Sequence, residues 1–196
     1  PEIAAEWHPT KNDDVTPAMV VSGSSKNYWW KCPKNDDHEW ATTVANRTGL
    51  GTGCPACAGK QLSVTNSLAA QFPEIATQWH PTKNGDVTPA MVVSGSNTNY
   101  WWKCPKNDDH EWATAVANRT GLGTGCPACA GKQLSVTNSL AALFPEIAAE
   151  WHPTKNDDVT PDRVVAGSSK KFWWKCPAGD DHEWFTTVDA RTTAGS

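Results

Sequence analysis

Long apolar runs are missing from this chain. No stretch approaches the roughly 18 consecutive apolar residues that a membrane helix needs, and no leader or lipidation motif is visible. Leu and Ile are scarce and Phe numbers four, so one large aliphatic core for 196 residues is not expected. A surplus of positive charge is missing too. Lys and Arg total 17 against 21 Asp and Glu, a net charge of −4, whereas phosphate-binding proteins are usually basic. Nucleophile elbows, phosphate loops and paired acid/base carboxylates are likewise not found, which leaves catalysis and a small-molecule substrate without residues to support them.

What is present is Trp, Cys and repetition. Twelve Trp supply most of the bulky apolar surface, and seven Cys offer the kind of staple that a chain poor in aliphatics needs. Trp7-His8-Pro9-Thr10-Lys11-Asn12 recurs 72 residues on at Trp79 and again at Trp151. Residues 1–72 and 73–144 differ at only seven positions: 5, 6, 13, 25, 26, 43 and 71. The third copy is more diverged, and the counterpart of Cys54 would fall at position 198, beyond Ser196. With Pro1 in place of an initiator Met, the expectation is a piece of a longer array. The expected division is 1–65, 66–137 and 138–196, the second with a leading helix and the third incomplete. Near-identical copies also imply multivalent action rather than one unique site.

Within a repeat, Thr65-Asn66-Ser67 before Leu68-Ala69-Ala70 has the form of a helix N-cap and first turn, and Pro73 opens a second turn or kinks the first. Leu68, Phe72, Ile75 and Trp79 then share one apolar face over 66–79, a helical bridge between modules. Thr88-Pro89 predicts a further single turn. Tyr100–Cys104 and Trp112–Val116, rich in aromatic and β-branched residues, predict two short strands around a turn. Helix content is expected to be modest and strand content low.

Each full repeat carries Cys-x5-His followed by Cys-x2-Cys: Cys32, His38, Cys54 and Cys57, then Cys104, His110, Cys126 and Cys129. Two chelating turns joined by a hairpin-length connector can converge on one tetrahedral zinc. Disulfides fit poorly, since three Cys per repeat leave one unmatched, and a redox Cys-x2-Cys lacks its βαβ surroundings. The expectation is two zinc ions per chain, each in a closed structural site that adds a further negative charge. Cys176 and His182 make up a partial third site with no second Cys pair, expected to bind metal weakly or not at all. Reduced thiolates suit the cytoplasm.

His8, His80 and His152 read as packing or capping residues. The Asp36-Asp37, Asp108-Asp109 and Asp180-Asp181 pairs read as solvated turn carboxylates able to tune the neighbouring imidazole. Trp29 and Trp30 must face opposite ways on a strand, so one packs the core and the other either meets the helical segment or stays available to stack on a base, a sugar or a partner protein. Contacts to nucleic acid or a partner are assigned to Trp30, Lys31 and Arg47, to Trp102, Lys103 and Arg119, and to Trp174 and Lys175.

The order Pro-Glu-Ile-Ala-x-x-Trp-His-Pro-x-Lys-Asn, Trp-Trp-Lys-Cys-Pro, His-Glu-Trp, Ala-Asn-Arg-Thr and Gly-Cys-Pro-Ala-Cys resembles the bacterial "probable zinc-ribbon" domain family, over nearly the whole chain. The resemblance implies small metal-stabilised α+β modules, tandem zinc-ribbon or treble-clef-like repeats joined by short helices, with the eight Cys and His named above as zinc ligands. Such modules occur in tandem and sometimes with nuclease-type domains. The family's turn is a shorter Cys-x3-His form, lengthened here by Asn35-Asp36-Asp37, which weakens transfer of a nucleic-acid role. The leading expectation is a non-catalytic scaffold acting through a protein partner or self-assembly. The alternative is DNA or RNA binding, as an accessory to a nuclease or otherwise.

Overall fold

A computed structural model describes residues 2–179 and 181–193. Among them lie three two-stranded sheets: β1 (Asn27–Lys31) with β2 (Glu39–Thr43), β3 (Asn99–Lys103) with β4 (Glu111–Ala115), and β5 (Lys171–Lys175) with β6 (Glu183–Thr187). The two predicted strands are thus present, each one residue out of step with its expected start. In the first hairpin Trp30 lies opposite Trp40 and Trp29 opposite Ala41. Opposed residues share a face, so Trp30 and Trp40 turn inward, 2% and 5% exposed, while Trp29 stays 39% exposed.

The Trp-His-Pro-Thr-Lys-Asn motif closes the free edge of this hairpin. The Asn12 side chain mimics a strand, accepting from the Trp29 N–H at 2.8 Å and donating to its carbonyl at 2.9 Å. Asn156 repeats this on Trp173. Trp7 meets Trp30 edge-on at 5.2 Å, and its indole N–H donates to the Val15 carbonyl, so the ring's polar edge is satisfied within the core. The first core is Trp30, Cys32, Trp40 and Val44, with Ile3, Trp7, Val20 and Tyr28 against it.

Directly after each hairpin comes a helix that the sequence reading left inside or after the strand: α1 (Val44–Thr48), α4 (Val116–Thr120) and α7 (Val188–Thr193). The Thr43 hydroxyl accepts from the Asn46 N–H at 3.1 Å and caps α1. In the second copy Ala115 stands in that place and no side chain caps α4, yet the helix forms. Burial of Val116 decides it, at 0% exposure.

The 66–79 segment forms two short helices, α2 (Leu68–Gln71) and α3 (Pro73–Ala76), with Ser67 capping the first and Pro73 opening the second. Seventy-two residues on, the same pair recurs as α5 (Leu140–Leu143) and α6 (Pro145–Ala148). Contacts divide the chain into two compact units. One comprises Pro1–Tyr100 and Thr114–Gly123, the other Trp101–Ala113 and Thr124–Ser196.

Inside the first unit α2 is bonded into the following repeat. The Leu68 N–H donates to the Val92 carbonyl at 2.7 Å, the Ser94 N–H donates to the Asn66 carbonyl at 3.1 Å, and Ser67 pairs with Val93 as a bridge. Inside the second unit Leu140 and Val164, Ala166 and Asn138, and Ser139 and Val165 repeat those three links. There the core is Leu140, Val164, Trp174 and Val188.

Candidate metal centre

The β1–β2 turn supplies Cys32 and His38, held together by the Cys32 N–H donating to the His38 carbonyl at 2.9 Å. The Cys54–Cys57 turn approaches from the loop after α1. Cys32 Sγ lies 3.5 Å from Cys57 Sγ, and His38 Nδ1 lies 3.3 Å from Cys57 Sγ and 3.5 Å from Cys54 Sγ. In the second copy the matching separations are 3.6, 3.4 and 3.5 Å among Cys104, His110, Cys126 and Cys129. A tetrahedral zinc with arms of about 2.3 Å to sulfur and about 2.0 Å to nitrogen has ligand separations of about 3.5–3.8 Å. Both sets fit zinc, with all four donor atoms within 4.8 Å of one another.

The protonation of the thiols agrees with a site built for a cation. Burial opposes ionisation of Cys32, but the N–H groups of Lys34 and Asn35 and the neighbouring thiols outweigh it and lower its pKa. Cys104 falls to about 7 despite burial, through Lys106, Asn107, Cys129 and His110. Cys57 and Cys129 are pushed up to about 11 by burial and by the sulfurs beside them. In each site one thiol has a lowered pKa while another is pushed up by burial and its neighbours. A bound dication removes that conflict and takes all three as thiolates.

With Nδ1 facing the sulfurs, His38 Nε2 faces two hydroxyls, Ser63 at 2.9 Å and Thr65 at 3.0 Å. The Thr65 hydroxyl in turn donates to Asp37 at 3.0 Å, and the Thr65 N–H donates to the same carboxylate at 3.2 Å. The Asp therefore acts on the imidazole through a hydroxyl, and Ser135, Thr137 and Asp109 repeat the chain at His110. Asn66 ties the last loop to the Cys turn by donating to the Ala56 and Gln61 carbonyls. Ser63 escaped the sequence reading, and Thr65 and Asn66 were read only as part of a helix cap, not as supports of the metal site. Their only signal was a polar Ser-x-Thr-Asn cluster repeated unchanged in the second copy.

The third repeat differs. Among the described residues Cys176 and His182 belong to no cluster of three or more metal-binding groups, and the His182 side chain is 61% exposed where His38 is 3%. Asp180, the first of the third acidic pair, lies outside the described residues.

The other assigned residues are placed as follows. Trp30, Trp102 and Trp174 are enclosed, at 2%, 0% and 0%, so no base can stack on them. The outward rings are Trp29 and Trp101, both 39% exposed. Arg47 is buried, ion-paired with Glu6, bonded to the Thr52 carbonyl and set against Trp30 and Trp40. Arg119 is buried with Gln78 on its guanidinium. These two arginines are packing groups, a correction to their assignment as surface contacts. Lys31 and Lys103 face Asp36 and Asp108 at 3.1 and 3.2 Å, and Lys175 is half-buried.

His8 accepts from the Thr10 and Lys11 N–H groups at Nδ1 and meets Glu39 at Nε2, at 2.8 Å, so it caps a turn. Lys11 and His8 together hold the Glu39 carboxyl down at about 2, and Lys155 and His152 do the same for Glu183.

No described helix is long and apolar enough to cross a membrane. No curated protein matches the chain. Residues 3–60, 75–132 and 147–196 match the family described as "Probable Treble clef zinc finger domain". With three matched segments covering most of its length, and two Cys3His clusters of zinc geometry, the chain belongs to that treble clef zinc finger family.

Proposed function

We propose that the chain is a non-catalytic interaction array, in which zinc fixes small modules at regular intervals for a protein partner or for self-assembly. The observation that carries this reading is the backbone pairing between repeats. Ser67–Val93 and Ser139–Val165 tie the loop after each zinc cluster to the repeat that follows. Repeats bonded in this way can present several equal surfaces. Four protein ligands per zinc leave no position for a reacting water, which argues for a structural metal and against catalysis. Enclosed Trp30, Trp102 and Trp174, buried Arg47 and Arg119, and the net charge of −4 all weigh against a phosphate-binding face.

One observation favours a nucleic-acid role. Trp29 is outward and has the Lys11 ammonium over its ring at 4.7 Å, a pairing that could receive a base beside a phosphate. The deciding experiment is titration of zinc-loaded protein with single- and double-stranded DNA and RNA at two salt concentrations. The array reading expects no micromolar binding at either. Micromolar binding that weakens steeply with salt would replace it with the nucleic-acid reading.

A further inference from the structure

The outward face of the first hairpin holds a tryptophan whose counterpart in the third repeat is covered by a second ring. Trp29 lies opposite Ala41 in β1 and β2, and both are exposed, Trp29 at 39%. In β5 and β6 the matching pair is Trp173 and Phe185, with ring centroids 5.3 Å apart and planes tilted by 39°. The Lys155 ammonium also stands over Trp173, at 4.7 Å, as Lys11 does over Trp29. A lysine and a second aromatic ring can therefore share one indole. Ala41 supplies no ring, and among the described residues no other aromatic side chain meets Trp29.

The backbone is open at the same residue. The Cys32 N–H donates to the His38 carbonyl, and bonded pairs alternate along an antiparallel hairpin, so the peptide groups of Trp29 and Ala41 point away from it on its two edges. On the β1 edge Asn12 takes both groups of Trp29. On the β2 edge, among the described residues, nothing bonds the Ala41 N–H or its carbonyl. A groove of about 480 Å³ runs along this edge, with Trp29 and Ala41 on one side and Pro55, Lys60 and Gln61 of the zinc turn and its continuation on the other. Gln61 already places a side-chain amide on the edge, donating to the Glu39 carbonyl at 3.3 Å. An unpaired strand edge and an uncovered indole thus meet in one slot walled by the zinc loop.

We propose that this groove takes an extended segment of a partner protein, which adds a short strand to β2 and lays one Phe or Tyr ring against Trp29. The aromatic residue pairs with Ala41. Its N–H donates to the Ala41 carbonyl, its carbonyl accepts from the Ala41 N–H, and its side chain leans over the small Ala41 onto the indole, in the part that Phe185 plays for Trp173. This deepens the array reading and rests on it. A base or a sugar would lie flat on the indole, whereas the ring supplied in the third repeat is tilted, as aromatic side chains pack. Lys11, the cation at the ring, is already paired with Glu39, and a phosphate has no use for the open peptide groups of Ala41 as a pair. Every residue lining the groove recurs 72 positions on, Trp101 and Ala113 among them, so the chain carries the set twice.

The test uses a fluorescein-labelled peptide, Ser-Thr-Ser-Phe-Ser-Thr-Ser, added to zinc-loaded chain and followed by anisotropy at two salt concentrations. Saturable binding that salt does not weaken is expected. Ala in place of the peptide's Phe should weaken it at least about tenfold. N-methylation of that Phe removes the donor to Ala41 and should do the same. Neither change touches the fold of the chain. In the chain, Ala41→Phe together with Ala113→Phe supplies the ring that the third repeat carries, and should cost at least about tenfold in peptide affinity while two zinc ions are retained. No binding at millimolar peptide, equal binding of the Ala or N-methyl peptide, or equal binding by the doubly substituted chain overturns the proposal. Single-stranded DNA or RNA run beside the peptide keeps the two ideas apart. An oligonucleotide that displaces the peptide and binds the doubly substituted chain less tightly gives the groove to a base and overturns the array reading as well. Binding of neither probe sinks the docking site alone.

Discussion

Leu140→Ala offers the sharpest check on how one repeat completes the next. By sequence Leu140 follows the second zinc cluster, but its side chain lies in the third module's core, fully enclosed by Val164, Trp174 and Val188. Truncating a fully buried Leu loses its transfer free energy and leaves a cavity, together about 2–5 kcal/mol. Trp174 is stiff and Val164 is anchored through its carbonyl to the Leu140 N–H, so the site has little room to collapse and about 3 kcal/mol is expected. For a module of this size that lowers the melting midpoint by more than about 10 °C. Hydrogen exchange locates the effect. Amides of the third module, such as Trp173 on Asn156, should exchange about a hundredfold faster, while zinc affinity at Cys104–Cys129 stays within a factor of a few. Leu122→Ala, at a position 76% exposed, is the control and should cost less than about 0.5 kcal/mol. Equal effects of the two substitutions, or a loss confined to the second zinc site, would refute the packing argument.

Metal analysis should return two zinc per chain; Cys57→Ser or His110→Ala should each reduce it to one, and a chelator should unfold the modules around both clusters, read by loss of near-ultraviolet circular dichroism. Thr65→Val cuts the link from Asp37 to His38 and should weaken zinc at the first site by about 10–100-fold in a competition titration, with the second site as internal reference. Glu183 provides a pH test in a module that shows no metal cluster among the described residues. Its carboxyl is lowered to about 2 in the fold by Lys155 and His152, so the stability it contributes is complete above about 4.5 and is lost as pH falls toward 2. Glu183→Gln should flatten the fall in the third module's stability between pH 5 and pH 2.5, measured by urea midpoints, and an unchanged slope would count against the ion pair.

The metal ligands were legible because their chemistry is written in spacing. An odd number of Cys per repeat and a His within six residues of the first leave zinc as the economical solution. The hairpins were legible for a different reason, since Tyr100–Cys104 and Trp112–Val116 are rich in the aromatic and β-branched residues that strands favour. Alternation alone could not say which Trp of the pair is buried. That depends on Trp40 facing Trp30 across the register and on Arg47 filling the space beneath both rings. The helices at Val44 and Val116 were missed because a five-residue helix has almost no periodicity to read, and Ala115 even removes the capping signal. Arg47 and Arg119 were misplaced for a physical reason as well. A guanidinium counted as surface charge is drawn inside when tryptophan faces and a side-chain partner are waiting for it.

The offset between chain repeat and folded module has a consequence for how such a gene can grow. Because Leu68 is bonded into the second module and Leu140 into the core of the third, each from just after the zinc cluster before it, no natural cut point separates one module from the next. A crossover between misaligned copies still restores every junction, wherever it falls, provided that it adds or removes a whole multiple of 72 residues. Breakpoints inside a strand, a zinc loop or a helix are then equally harmless. Copy number can drift without any intermediate that fails to fold, which accords with two neighbouring copies that differ at only seven positions.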